Sequence, residues 1–419
     1  MQCRLDYPRS IRLITMYPAP SQPEEDGSVQ PLVAQMTLEP LSGLNMQYEA
    51  LSYVWGSAET PRSITIVFVQ SDNRASTFEC SITENLWNAL CALRSTNQPR
   101  TVWTDALCIN QNDIPEKNAQ VAQIRDVYAD AKRTIAYLGP PFDGLDALVA
   151  YRDCYKTKTS GIGRPPAPGG HFMRFVPERG IVRVNQKPHR IVASLISIII
   201  PYLYLRYGIA YIATKSFANR IAMAFTAINA AFTLPLLFSQ FRSFDRNEPE
   251  VLFSPDQLIC GLAEFFARFW FRRAWIVQEC VDSPSVYFRV GREEFDIEDI
   301  SRMVRERVEL KSFIAWSAPT ASHLVCFQRM IDMRLERSER QPALSLSTLI
   351  QWTWNYGLAE EASNPRDKIF ALLGLVDKNA EFFINYVLQP HEVFWHYGRC
   401  FPSAQERSCS SRTHAVMMS

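Results

Sequence analysis

The amino-acid sequence predicts an α/β protein with a parallel sheet at its centre, and three observations support that expectation. Between Tyr48 and Leu138, runs of strand length alternate with stretches whose apolar residues recur at helical spacing. The order is strand, helix, strand, helix, strand, and helical crossovers of this kind leave neighbouring strands parallel. The composition, 47% hydrophobic and 21% charged over 419 residues, is that of a globular chain long enough for two or three compact domains.

Residues 1–45 are rich in Pro, Gln and Glu around Pro18–Pro31 and read as a strand or two with a loose loop. Tyr48–Val54 is a short β-leaning run ending in Trp55-Gly56, and the β-branched Ser63–Val69 reads as a further strand. Ser81-Ile82-Thr83-Glu84 has capping-box spacing ahead of Leu86, Trp87, Leu90 and Leu93. Thr101–Asp105 reads as a buried strand that releases into the loop Ala106–Asn112. Asp113-Ile114-Pro115-Glu116 then offers an N-cap acceptor and an early proline, with Val121, Ile124, Tyr128 and Ala131 following on one face. Thr134–Leu138 returns as a strand, and Gly139-Pro140-Pro141 stops it. Ligands of such sheets gather at the carboxyl ends of the strands, where Trp55-Gly56 and the loop after Asp105 should lie.

The pattern then breaks. Gly161–Gly170 reads as a linker to two apolar stretches, Ile191–Leu205 and Ile221–Ser239. The second is uncharged for about the length that crosses a bilayer. Arg183, Lys187 and Arg190 before the pair, with Arg242 and Arg246 after it, suit a hairpin whose flanks both face the cytoplasm. A buried helical hairpin and a gene-prediction artefact are the competing readings of Ile191–Ser239. Beyond Asn247, Asp256–Cys280 has helical spacing, Ser285–Val290 is strand-like and Asp296–Ser338 reads as one or two charged helices. Leu344–Val376 is helical again, with Asn364-Pro365 at a helix start, and the Ser/Arg-rich tail from Pro402 reads as disordered.

A formal net charge of +1 removes any simple electrostatic case for nucleic acid. Ten cysteines lie singly, with no C-x-x-C pair and no zinc-finger spacing, and the N-terminus lacks a secretory pattern. Reduced thiols in an intracellular compartment are expected. There is no G-x-G-x-x-G after a strand, no Walker lysine, no G-x-S-x-G and no H-E-x-x-H. His391 and His396 are five apart, off the spacing that places two ligands on one helical face.

Three blocks resemble heterokaryon-incompatibility (HET) domains. They are Tyr48-Glu49-Ala50-Leu51-Ser52-Tyr53-Val54-Trp55-Gly56, Val102-Trp103-Thr104-Asp105-Ala106-Leu107-Cys108-Ile109-Asn110-Gln111, and Phe269-Trp270-Phe271-Arg272-Arg273-Ala274-Trp275-Ile276-Val277-Gln278-Glu279. Asn364-Pro365-Arg366-Asp367-Lys368-Ile369-Phe370-Ala371-Leu372-Leu373-Gly374-Leu375 resembles a segment that often follows the domain. Arg125, where methionine is common, and Asn385 before Tyr386, where aspartate is usual, are small departures. The apolar insertion is the large one. The resemblance implies a role in fungal self/non-self recognition, with programmed cell death after fusion with a non-self partner. Because HET domains are remotely similar to TIR domains, it also implies a flavodoxin-like sheet interrupted by the apolar hairpin and followed by a helical C-terminal region. The chain then divides into an N-terminal segment (1–45), a first HET part (46–150), linker plus hairpin (151–245), a second HET part (246–292), helical residues 293–400 and a disordered tail (401–419). Protein partners in incompatibility signalling, self-association and membrane contact through Ile191–Ser239 belong to the same expectation.

TIR-like chemistry would make NAD a substrate rather than a bound cofactor. Trp275 and Glu279 have the W-x-x-x-E spacing of TIR domains, in which the glutamate is catalytic. Four residues apart on a helix, the indole would wall a pocket holding the carboxylate, which could stabilise an oxocarbenium-like ribose centre. The competing reading pairs Glu279 with Arg272 or Arg273. Asp105 is the second catalytic candidate, balanced against a role in capping its own loop. Trp55 and Ser52 could line the same cleft, although a core role suits Trp55 and Trp103, and a buried strand end suits Ser52 and Tyr53. Cys108, with no histidine nearby in sequence, is a weak nucleophile candidate.

Overall fold

The computed structural model describes residues 9–18, 31–41, 47–69, 75–159, 172–176, 180–184, 250–308, 318–338, 345–356, 361–376 and 383–399. The chain forms two compact units, Met1–Leu145 with Cys260–Ser419, and Asp146–Ile259. In the second, β8 (Phe172–Val176), β9 (Gly180–Val184) and β10 (Glu250–Phe253) form an antiparallel sheet in the order β10-β9-β8. The expected apolar hairpin Ile191–Ser239 lies outside the described residues, as do the linker Gly161–Gly170 and the tail from Pro402. Among the described residues, no helix is long and apolar enough to cross a membrane.

The first unit is built on a nine-stranded sheet in the order β12-β11-β7-β3-β6-β1-β2-β4-β5. Its strands are β1 (Ser10–Met16), β2 (Leu32–Pro40), β3 (Glu49–Tyr53), β4 (Arg62–Val69), β5 (Ala75–Ile82), β6 (Arg100–Trp103), β7 (Arg133–Gly139), β11 (Val286–Val290) and β12 (Glu293–Asp296). β6, β3, β7 and β11 run parallel, as do β2 and β4. β1 is antiparallel to both β6 and β2, β4 to β5 and β11 to β12, so the whole sheet is mixed. The parallel centre matches expectation; the antiparallel wing built from residues 10–40 and 62–82 does not.

Burial explains the placement. Every residue of β3 is buried, as a central strand covered on both faces requires, whereas β5 alternates exposed and half-buried positions at the sheet edge. β1 is nearly as buried as β3, which fits its place inside the sheet. Helix α1 (Glu84–Leu93) buries Leu86, Ala89, Leu90 and Leu93. Its cap is Thr83, whose side chain accepts from Leu86 N at 3.3 Å, not the expected Ser81. β5 holds Ser81 opposite Ser63, so the helix cannot start that early. The cap at Asp113 is as expected: it accepts from Glu116 N at 3.1 Å ahead of α3 (Ile114–Val121), α4 (Ile124–Asp130) follows after a break, and α5 (Leu145–Thr159) comes after β7.

The stretch expected to be helical over Asp256–Cys280 is divided. It contains α6 (Pro255–Phe266), a 3-10 turn (Phe269–Arg272) and α7 (Ile276–Val281). Phe265, Phe266, Trp270, Phe271, Phe288 and Phe327 cluster here, with Trp270 edge-on to Phe288 at 5.5 Å between centroids. The remaining helices are α8 (Ile297–Val308), α9 (Ala318–Ser338), α10 (Leu346–Tyr356), α11 (Asp367–Leu373) and α12 (Pro390–Gly398).

Candidate functional site

The site begins with Ser52 near the carboxyl end of β3. Its hydroxyl accepts from Trp270 Nε1 at 2.6 Å and from Arg273 Nη1 at 3.2 Å, and it donates to Glu279 Oε2. Arg273 also grips the carboxylate as a fork, Nη1 to Oε2 and Nη2 to Oε1, each at 3.2 Å. Glu279 is 3% exposed, so its charge is held almost wholly by these two partners. Of the two sequence readings of this residue, the ion pair with Arg273 is present; what the carboxylate does chemically is a separate question. Arg272, the other candidate partner, lies against Phe269 and reaches Glu361.

Backbone geometry separates the two arginines. The 3-10 turn ends at Arg272, and Arg273 is extended at φ −69°, ψ 137°, so the neighbouring side chains diverge. Trp275 caps α7 rather than lying within it, and Glu279 N bonds back to Trp275 O at 3.1 Å. Trp275 packs beside Ala371, and its indole lies near enough to Asp367 to favour that carboxyl's charged form. The expected pocket wall over Glu279 therefore gives way to a contact with α11.

Asp105 opens α2 (Asp105–Cys108), two residues beyond the end of β6 and thus at the same end of the parallel strands as Ser52. Oδ1 accepts from Ala106 N at 2.8 Å, and Oδ2 from Trp55 Nε1 at 2.8 Å. Burial pushes this carboxyl up; Arg273 and the Trp55 bond oppose the shift, while the Glu279 charge adds to it. Burial also pushes the phenols of Tyr53 and Tyr128 well up, helped by Asp105 at Tyr53 and by Glu279 and Asp105 at Tyr128. Ser52, Asp105, Arg273 and Glu279 thus form one electrostatic group walled by tyrosines. Trp55 stands at its outer side, 42% exposed, so the core reading holds for Trp103 and not for Trp55.

The loop carrying Asp105 is fixed from β1. Buried Arg12 forks onto Glu116 at 2.5 and 2.9 Å and donates to Cys108 O at 2.9 Å. Cys108 is not a nucleophile in this setting, because burial pushes its thiol up to about 12. No group of three or more His, Cys, Asp or Glu among the described residues is placed to hold a metal ion. Sequence reasoning missed Trp270 as the donor to Ser52 and Tyr128 as a wall. Trp270 lies in the Phe269–Glu279 block and Tyr128 on the helical face that follows Asp113, but only the fold shows which way they point.

Fold and site together define an α/β domain with a buried carboxylate–guanidinium cluster against its central parallel strands. The model of the family described as Heterokaryon incompatibility protein (HET) matches residues 48–167, which include Ser52, Trp55 and Asp105. Over 147 residues the chain is 33% identical to Heterokaryon incompatibility protein 6, OR allele, of Neurospora crassa, covering 33% of this chain and 20% of that protein. The chain therefore spans about a fifth of the length of that curated relative. No solved structure matches it. The chain thus carries, over residues 48–167, a segment that matches the heterokaryon incompatibility (HET) domain.

Proposed function

We propose that this chain acts in fungal heterokaryon incompatibility, and that its HET domain triggers cell death by hydrolysing the bond between nicotinamide and ribose in NAD. The observation that carries the chemical part is the Ser52–Arg273–Glu279 cluster, coupled to Asp105 at the carboxyl ends of β3 and β6. Water adds to the ribose carbon, nicotinamide leaves with the bonding pair, and the water's spare proton passes to solvent. Glu279 is the carboxylate that faces the oxocarbenium-like centre. For that, the dinucleotide must draw Arg273 away with its phosphates. Trp55 offers an exposed ring on which a base or pyridinium can stack.

The TIR-like, flavodoxin-like reading draws support from strand order. Numbered among themselves along the chain, the parallel strands β6-β3-β7-β11 run 2-1-3-4, as in a doubly wound sheet. Incompatibility itself is supported by the family and by the name of the Neurospora protein.

One observation favours a second, non-enzymatic reading. Both carboxylate oxygens of Glu279 already have partners, so the cluster can equally serve as a lock within an adaptor that acts by partner binding or self-association. NAD consumption by purified protein and by expressing cells, wild type against Glu279→Ala, separates the two. Loss of cleavage in the variant is expected; cleavage that survives Glu279→Ala would sink the enzymatic reading, and killing with cellular NAD intact would favour the adaptor.

A further inference from the structure

The block that supplies Arg273 and Glu279 is held by three pins from the segment 361–376, beyond the residues matched by the family. The first is backbone to backbone. Glu361 N donates to Arg272 O at 2.8 Å and Ala274 N to Glu361 O at 3.0 Å, which brackets Arg273 on both sides. The second is Asp367, the first residue of α11, which accepts from Tyr386 Oη at 2.5 Å and sits beside Trp275 at the cap of α7, whose side chain packs on Ala371 of the same helix. Tyr386 is itself anchored on α3, where its N–H donates to Asn118 Oδ1 at 2.9 Å and Lys117 lies over its ring.

The third pin is Gln278, 2% exposed and next to Glu279. With its amide turned to satisfy both neighbours, it donates to Ala371 O at 3.2 Å and accepts from Arg125 N at 2.9 Å, joining α7 to α11 and α4. Gly374 gives it room, since a Cβ there would overlap the Gln278 amide. Gly374 has φ −67° and ψ −19°, a conformation that alanine adopts freely, so only that overlap penalises a side chain.

We propose that Asp367 and Gln278 are positioning residues for Arg273 and Glu279, so that the working unit of the HET domain extends through Leu375. The proposal rests on the cluster being the functional centre described above. Each pin fixes a residue adjacent to, or one turn from, a member of the cluster, whereas among the described residues the hydrogen bonds from Arg273 and Glu279 to the sheet go to Ser52 and, at 3.4 Å, from Thr134 Oγ1 to the Glu279 carbonyl.

The test uses the full chain with Gly374→Ala, Asp367→Ala, Asp367→Asn and Tyr386→Phe, reading amide exchange at Arg273–Val281 and in β3, β6 and β7, together with killing on expression. Gly374→Ala and Asp367→Ala should speed exchange at Arg273–Val281 by about tenfold or more with the strands unchanged, and should suppress killing. Asp367→Asn keeps an acceptor for Tyr386 Oη and should recover most of both. Uniform acceleration across strands and block, or no change at the block, overturns the proposal. If the alanine variants fail to fold, Tyr386→Phe must still loosen the block locally, and its failure to do so also overturns it. Glu279→Ala in parallel keeps the two ideas apart: killing that survives it removes the functional centre, while the exchange measurements judge the pins alone.

Discussion

Arg273 is the residue on which the site depends most. Among the described residues it is the one cation bonded to Glu279, and its own guanidinium is pushed further up by Glu279 and Asp105 despite burial. Removing one partner of a buried pair leaves a charge that neither water nor protein satisfies, at a cost of about 3–5 kcal/mol, while replacing both with neutral side chains of similar shape costs far less. Arg273→Met should therefore lower unfolding stability by about 3 kcal/mol or more, and adding Glu279→Gln should restore much of it. Urea melts of the two single variants and the double variant measure the coupling; simple additivity would show that the pair is not acting as a unit. Why Arg273 rather than Arg272 is visible only in the structure. Both stand in the quoted block, six and seven residues before Glu279, and the choice is made by the end of a 3-10 turn that apolar periodicity cannot locate.

Among elements, sequence patterns located the parallel core well because each strand there carries a short apolar run bounded by caps or turn residues. They failed where pairing is non-local. β5 pairs with β4 through Ile82, and that register displaced the cap of α1 to Thr83 against a good local signal. Three neighbouring strands are also tied by one carboxylate. Glu49 at the start of β3 bonds Arg100 of β6 and, at 2.6 Å, Arg133 of β7, which continues to Glu294 of β12 at 3.1 Å. Burial alone would raise the Glu49 carboxyl, but the two arginines outweigh it and hold it low. Its stabilising contribution is therefore complete above the unfolded carboxylate pKa and is lost as pH falls through the lower folded value. Glu49→Gln should be markedly less stable than wild type near neutral pH, with the gap closing in acid. Urea midpoints measured from pH 7 down to about pH 3 check this, since that range spans the ordinary carboxylate values. A gap that stays constant with pH would mean that Glu49 acts through packing alone.

At the scale of the molecule, the N-terminal residues are where the sequence was least legible. They read as a separate segment because their strands lack the caps and crossover helices that mark the rest, and their partners lie far along the chain. In the structure β1 and β2 complete the sheet. β1 pairs Ile14 with Val102 of β6, and β2 pairs Leu32 with Ile64 of β4, so the hairpin joins the parallel core to the β4–β5 wing. The same strand supplies Arg12, whose fork onto Glu116 holds the loop that presents Asp105. The 48–167 segment that identifies the family is thus less than the folding unit. Expressed alone, it would leave β6 with an open edge, strand β4 without its parallel neighbour, and Ser52 without Trp270, Arg273 and Glu279. It should behave as an expanded state that binds hydrophobic dye and melts without a cooperative transition, while the full chain melts sharply. Calorimetry and dye binding on both proteins decide it, and a sharp, two-state transition in the 48–167 fragment would show that the hairpin and the C-terminal blocks are additions to a domain already complete.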